Sequence, residues 1–255
     1  MNLAPLPALI GHRGLPSLAP ENTAASIQSA VDNGIEWIEL DVTMAGDESL
    51  VMMHDPDCRL FKQPDIKLAK LNKDALKKID AGRWFSDEFA GEPLLFCEDM
   101  LALVRKTGVG LNLEIKINPD LDTQRQVDLI WAELQSYTEM FDRILISSFS
   151  IPALSHLRSL SDVINIGVLF EKVPSNALEI TSTLKAASLH CDQSHLSQEL
   201  ALTLSEAMPL YCYTVNDTVT LHKLLSWGVS GVFCDRANAD DLKAIVKEHQ
   251  LTQKA

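Results

Sequence analysis

A repeat constrains this chain more than any other feature. In its second half, short β-rich runs begin at residues 143, 165, 188, 209 and 231, so successive starts lie 22, 23, 21 and 22 residues apart. That interval holds one strand, one helix and two short loops, and regular repetition of such βα units builds a parallel sheet covered by helices. The full set of runs is ALIG (8–11), EWIELDVTM (36–44), GLNLEIK (110–116), RILISSF (143–149), NIGVLF (165–170), SLHCD (188–192), PLYCYTV (209–215) and GVFCD (231–235). Several are apolar on both faces, as strands of a buried parallel sheet must be.

Helical periodicity fills the intervals. It is legible in NTAASIQSAVDNG (22–34), EDMLALVRKTG (98–108), TQRQVDLIWAELQSY (123–137), SNALEITSTLKAA (175–187), SQELALTLSEAM (197–208), DTVTLHKLLSWG (217–228) and the closing ADDLKAIVKEHQ (239–250). Asn22, Ser175, Ser197 and Asp217 stand where N-caps are expected, and Gly34, Gly108 and Gly228 where helices stop. Eight βα units in 255 residues predict a (β/α)8 TIM barrel, which takes about 250 residues. A doubly wound sheet is the competing α/β fold, disfavoured by the count of eight. The expected organisation is one catalytic domain, 1–255, with a small insertion after strand two, about 56–96, that carries a short helix near LNKDALKKIDAG and the pair Trp84-Phe85. LVMMHD (50–55) reads as an extension of strand two or a small extra strand.

Charge narrows the partners. With 35 acidic and 22 basic residues the net charge is −13, which argues against nucleic acid and against adsorption to anionic membranes. No run approaches the roughly 20 apolar residues of a membrane span. The five cysteines, Cys58, Cys97, Cys191, Cys212 and Cys234, form no C-x-x-C pair and suit a reducing compartment. With no leader-like N-terminus, the expected location is the cytoplasm.

Barrel enzymes keep their chemistry at the C-terminal ends of the strands. There the chain places His12 and Arg13, Glu39 and Asp41, His54, Glu114 and Lys116. Residues two apart on a strand share a face, so Glu39 with Asp41 and Glu114 with Lys116 point into the barrel. Three buried carboxylates are costly unless paired. One hard divalent cation, Mg²⁺ or Ca²⁺, resolves that cost, and so does a salt-bridge network with Arg13 and Lys116. Two imidazoles beside the cluster can divide general-acid and general-base duties in a displacement at phosphorus. Arg13 and Lys116 can hold phosphate oxygens.

Weaker constellations read as structure. His190-Cys191-Asp192 with His195 is taken as a strand end rather than a transition-metal site, and Cys212 and Cys234 as core. Ser147 and Ser148 lack a G-x-S-x-G context. Phe149, Tyr213, Trp84 and Phe85 are candidates for an apolar rim around substrate carbons, with plain packing the equal alternative for each.

The motifs HRG (12–14), PENT (20–23), ExD (39–41), HD (54–55) and LEIK (113–116) resemble those of glycerophosphodiester phosphodiesterases of the bacterial cytoplasmic type. DAGRWF (80–85), LISSF (145–149), YTVN (213–216) and GVSGVFCD (228–235) extend the resemblance over nearly the whole chain. It implies a barrel enzyme that uses a divalent metal to hydrolyse glycerophosphodiesters to glycerol 3-phosphate and an alcohol. It further implies metal ligation by Glu39, Asp41 and Glu114, acid–base roles for His12 and His54, and phosphate contacts from Arg13 and Lys116. The departures MAGDES (44–49), Arg59-Leu60, Tyr213 and CDRA (234–237) bear on the leaving alcohol and the loops, not on a catalytic group. A phospholipase D-like barrel acting on lysophospholipid or sphingolipid, and a catalytically silent polyol-phosphate-binding barrel, are the rival readings.

Overall fold

The computed structural model describes residues 3–253. Eight parallel strands follow one another around a ring: β1 (Leu9–Gly11), β2 (Trp37–Met44), β3 (Gly110–Ile115), β4 (Ile144–Ser148), β5 (Asn165–Phe170), β6 (Ser188–Asp192), β7 (Leu210–Tyr213) and β8 (Gly231–Cys234). β1 pairs with both β2 and β8, so the sheet closes on itself and the ring has no open edge. Eight helices alternate with the strands: α1 (Ala24–Asp32), α2 (Cys97–Thr107), α3 (Thr123–Leu134), α4 (Ile151–Leu160), α5 (Ala177–Thr183), α6 (Gln198–Ala207), α7 (Thr218–Ser226) and α8 (Asp240–Gln253). The chain is a (β/α)8 barrel, as the repeat predicts.

Period-2 alternation sorts each strand between two cores. Ile38, Leu40 and Val42 of β2, with Leu111, Leu113, Ile146, Ile166 and Val168, face outward into one continuous apolar layer against the helices. Each such aliphatic side chain stabilises the fold by roughly 1.5–3 kcal/mol on burial. Ile10, Trp37, Leu145, Tyr211 and Phe233 face inward and, with Leu6, form a separate apolar plug. The Trp37 ring lies flat against Gly110, where a Cβ would come within 2.3 Å of it.

Helix starts hold two surprises. Ser197 and Asp217 cap α6 and α7 by accepting from the amides of Leu200 and Thr220. Asn22, however, does not cap α1; Thr23 does, accepting from Ser26 N–H. Nor does Ser175 cap α5, whose flanking residue is Asn176 with no side-chain bond. α4 occupies an interval in which no helix was assigned from periodicity; Ser150 caps it through Ala153 N–H.

Between β2 and α2 the chain makes an excursion over residues 45–96. It begins with Leu50–Met52, a small extra strand antiparallel to the outer end of β2. A hairpin, Asp57–Cys58 with Gln63–Lys67, and the short helix Lys73–Leu76 follow. The excursion has its own small core, which includes Val51, Met53, Leu68, Leu76 and Phe96. The buried Asp57 carboxylate ties its hairpin together, accepting from Arg59 and from Lys67, each at 2.8 Å. No helix among the described residues is long and apolar enough to cross a membrane.

Candidate active site

At the C-terminal mouth of the ring lies a cavity of about 150 Å³, lined by His12, Arg13, Glu39, His54, Glu114 and Lys116 together with Phe149 and Tyr213. All seven site residues expected from the sequence converge at this mouth, six of them on the cavity wall and Asp41 buried immediately behind. A roomier cavity of about 630 Å³ lies in the excursion and is lined by Phe61, Ile66 and Trp84 among others, with none of the strand-end residues.

The cluster is set by register. Asp41 of β2 stands directly opposite Glu114 of β3, and Glu39 opposite Asn112. One oxygen each from Glu39, Asp41 and Glu114 lies within 4.8 Å of the others, and all three residues are buried. Two cations answer three anions. Lys116 Nζ lies 3.4 Å from Asp41 Oδ1 and also pairs with Glu114. Arg13 Nε lies 3.2 Å from Asp41 Oδ2, while its NH1 donates to Glu21 Oε1 at 2.6 Å. No lysine or arginine side chain among the described residues pairs with Glu39. Its Oε2 accepts the Arg13 backbone N–H at 2.9 Å, and its buried Oε1 has no partner.

Titration follows from this distribution. Burial opposes the charge on Asp41, but Lys116 and Arg13 outweigh it and hold the carboxyl below its ordinary range. Burial pushes Glu39 well above its ordinary value, with repulsion from Asp41 and Glu114 adding to it. Burial likewise lifts Glu114, to about 7, against the opposing pull of Lys116. Burial opposes the Arg13 and Lys116 charges too, yet Asp41 and its neighbours outweigh it and raise both pKa values. An ion-pair network therefore satisfies Asp41 and leaves Glu39 stranded. A hard cation among three oxygen donors, one with an unused buried lone pair, fits the set.

The first βα loop makes this possible. Arg13 and Asn22 both adopt left-handed backbone, φ 52° and 57°, uncommon outside glycine. Gly14 follows at φ +89°, and a Cβ there would sit 2.2 Å from Ser26 Oγ. The tight turn aims the Arg13 amide at Glu39 and brings Asn22 over Asp41. Asn22 Nδ2 donates to Asp41 Oδ2 at 2.9 Å, and Asn22 Oδ1 accepts the Asp41 backbone N–H at 3.0 Å.

Both histidines are oriented through Nδ1. His12 Nδ1 lies 2.6 Å from Asp235 Oδ1, and His12 Nε2 lies 3.9 Å from Glu39 Oε2. His54, on the excursion just after Leu50–Met52, lies 3.0 Å through Nδ1 from Asp55 Oδ1. Burial lowers the His54 pKa, and Lys116 and Arg13 add to the shift against the pull of Asp41. The neutral ring, which can accept a proton, therefore prevails at pH 7.

Some expectations change. Phe149 and Tyr213 do form a rim, edge to face at 5.8 Å, with Lys116 Nζ 5.5 Å from the Phe149 ring centre. Trp84 and Phe85 do not join it and take the packing alternative: they meet edge to face, and Phe85 in turn packs against Phe89 in the excursion. His190 and His195 do not meet: His190 is fully buried inside the ring and His195 is exposed. Asp235 and Asn216 are not among the site residues expected from the sequence, and His190, taken there as part of a strand end, also lines the cavity. The signal available for Asp235 was its place directly after the last strand, in GVFCD.

A model of the "Glycerophosphoryl diester phosphodiesterase family" matches residues 12–239. A glycerophosphodiester phosphodiesterase of Caldanaerobacter subterraneus subsp. tengcongensis is 28% identical over 89% of this chain and 93% of its own length. Another, from Bacillus subtilis, is 29% identical over 94% and 86%. Among solved structures, an Oleispira antarctica phosphodiesterase in complex with the product sn-glycerol-3-phosphate superposes with a TM-score of 0.88 at 29% identity, covering 95% of this chain and 97% of that one. A Silicibacter pomeroyi structure at 18% identity, TM-score 0.81, shares the fold. Carboxylates, histidines and barrel mouth thus coincide with a match over nearly the entire sequence, and the chain belongs to the glycerophosphoryl diester phosphodiesterase family.

Proposed function

We propose that the protein hydrolyses glycerophosphodiesters to glycerol 3-phosphate and an alcohol, using one divalent cation, Mg²⁺ or Ca²⁺, and two histidines as general acid and base. One observation carries the reading: two imidazoles, each held at Nδ1 by an aspartate, line the same small cavity as the stranded carboxylate of Glu39. Family membership and the product named in the Oleispira antarctica complex support the substrate class.

Glu39, Asp41 and Glu114 would hold the ion. When bound there, it supplies positive charge that polarises the phosphate. Arg13 and Lys116 add fixed positive charge at the mouth, so a strongly acidic protein presents a local cationic pole to an anionic substrate. One histidine takes the proton of the attacking oxygen at Nε2, and the other gives a proton to the departing alkoxide. The attacker is water, or the neighbouring glycerol hydroxyl, which expels the alcohol to give a cyclic phosphate that water then opens to glycerol 3-phosphate. The Phe149–Tyr213 rim offers an apolar surface for substrate carbons.

The test is direct. The purified protein is incubated with glycerophosphocholine and Mg²⁺ or Ca²⁺, and glycerol 3-phosphate is measured. Enzymatic release, abolished by EDTA and restored by the ion, is expected. No product with either ion defeats the proposal; undiminished turnover in EDTA defeats its metal requirement.

A further inference from the structure

We infer that Asp235 and Asn216 act together as a positioning pair that fixes the tautomer and direction of the His12 imidazole. The inference rests on the catalytic reading of His12 above and adds two residues from the far end of the chain to it.

The geometry runs through three strand ends. His12 follows β1, Asn216 lies beyond β7, and Asp235 follows β8. Asp235 Oδ1 is 2.6 Å from His12 Nδ1. Burial opposes the Asp235 charge, but the bonds to His12 and Asn216 outweigh it and keep the carboxyl below its ordinary value. An ionised carboxylate only accepts, so the proton between the two groups sits on Nδ1. The neutral ring is then fixed with its lone pair on Nε2, which faces the Glu39 carboxylate at 3.9 Å. Without this partner the two neutral tautomers compete, and the ring turns freely about its side-chain bonds.

Asp235 is itself held from both sides. Asn216 Nδ2 donates to Asp235 Oδ2 at 2.6 Å, and Asn216 Oδ1 accepts the Asp235 backbone N–H at 2.8 Å. The loop carrying Asp235 is tied to β1 as well, because His12 N–H donates to the Cys234 carbonyl at 3.1 Å. Carboxylate and imidazole therefore stand on two neighbouring strand ends that a backbone hydrogen bond joins directly. This is the relation by which a buried aspartate orients a catalytic histidine elsewhere, and its removal costs orders of magnitude in turnover while binding persists.

The test is a double-mutant cycle with glycerophosphocholine as substrate. Asp235→Ala should lower kcat about 10²- to 10³-fold with KM changed less than about threefold. In a His12→Ala background the same substitution should cost less than about twofold, because its effect passes through the imidazole. Equal losses in both backgrounds, or wild-type kcat in Asp235→Ala, overturn the inference. Should Asp235→Ala not fold by circular dichroism, Asp235→Asn, whose amide can donate to Nδ1 and select the other tautomer, takes its place with a loss of at least about 10²-fold, alongside Asn216→Ala with a loss of about 10-fold. A second measurement needs no turnover. In histidine-labelled protein, the Nδ1 proton signal of His12, identified by its absence from His12→Ala, should disappear or move strongly upfield in the Asp235 variant. A signal unmoved by that substitution overturns the pairing even if the wild-type protein proves inactive on glycerophosphodiesters, so the two failures remain distinct.

Discussion

Asn22 grips Asp41 twice, by its side-chain amide on Oδ2 at 2.9 Å and by its carbonyl on the backbone N–H at 3.0 Å. A residue suited to capping a helix is spent instead on a strand of the ring. The double bond fixes which way the most deeply buried carboxylate of the cluster faces, and outer partners of this kind tune metal affinity.

Replacing Asn22 with alanine should therefore weaken divalent-ion binding about 10- to 100-fold while leaving the helix cap, which is Thr23, intact. The ion concentration for half-maximal activation measures this. An unchanged value means that the neighbouring strands alone orient Asp41.

Ion binding should release protons. Burial holds Glu114 at about 7 and Glu39 well above the carboxylate range, so near neutrality the ion-free cluster retains protons that a ligating carboxylate must lose. Affinity for Mg²⁺ should thus rise with pH through about 7 and level off once both groups are ionised. Titration calorimetry at pH 7 in buffers of different ionisation enthalpy should report roughly one proton released per ion, or more. Heats independent of the buffer contradict this picture of the cluster.

The two imidazoles should be separately indispensable. His12→Ala and His54→Ala should each reduce kcat by about 10² to 10⁴, the range of a general acid or base. Ion affinity should hold, since neither ring belongs to the carboxylate set. Near wild-type turnover in either purified variant removes that residue from the proton transfers.

His190 offers a test of stability rather than turnover. It is fully buried, with Nε2 beside Ser188 Oγ at 2.8 Å and Nδ1 unpartnered, and burial lowers its pKa to about 3. Above the ordinary histidine value both folded and unfolded chains are neutral there, and no pH dependence arises. Below it the unfolded chain takes up a proton that the fold refuses until about pH 3, so stability falls by up to about 1.4 kcal/mol per pH unit. Urea unfolding at pH 7 and pH 5 should show the wild type losing about 2 kcal/mol relative to His190→Gln. Parallel behaviour of the two proteins assigns the acid sensitivity elsewhere.

The ring was legible because its information is local. Strand runs, the 21–23-residue spacing and the i, i+2 placement of Glu39 with Asp41 are all read over a few residues. Six of the seven site residues were legible because barrel topology assigns strand ends to one mouth, whatever their separation in sequence; His54 was read from the end of the LVMMHD run, which lies antiparallel to β2 outside the parallel ring. Supporting contacts carry no such rule. Asp235 meets His12 across 223 residues, and nothing about an aspartate after a strand says which imidazole it will face. Asn22 was misread for a related reason. Its neighbour Thr23 caps equally well, and only the left-handed turn at Arg13 and Asn22 shows which side chain is left for the helix. Trp84 and Phe85 were drawn toward the mouth by their aromatic character, whereas the excursion has a core of its own to fill.

The two histidines do not share a foundation. His12 stands on the closed ring itself, whereas His54 is carried by the excursion that leaves after β2 and returns at α2. Every carboxylate of the cluster also belongs to the ring. On the proposed function, the ion would be held wholly by the closed ring, whereas one of the two imidazoles would reach it from a segment with its own small core. A shift of that segment would move His54 relative to His12 while leaving Glu39, Asp41 and Glu114 in the register that β2 and β3 impose.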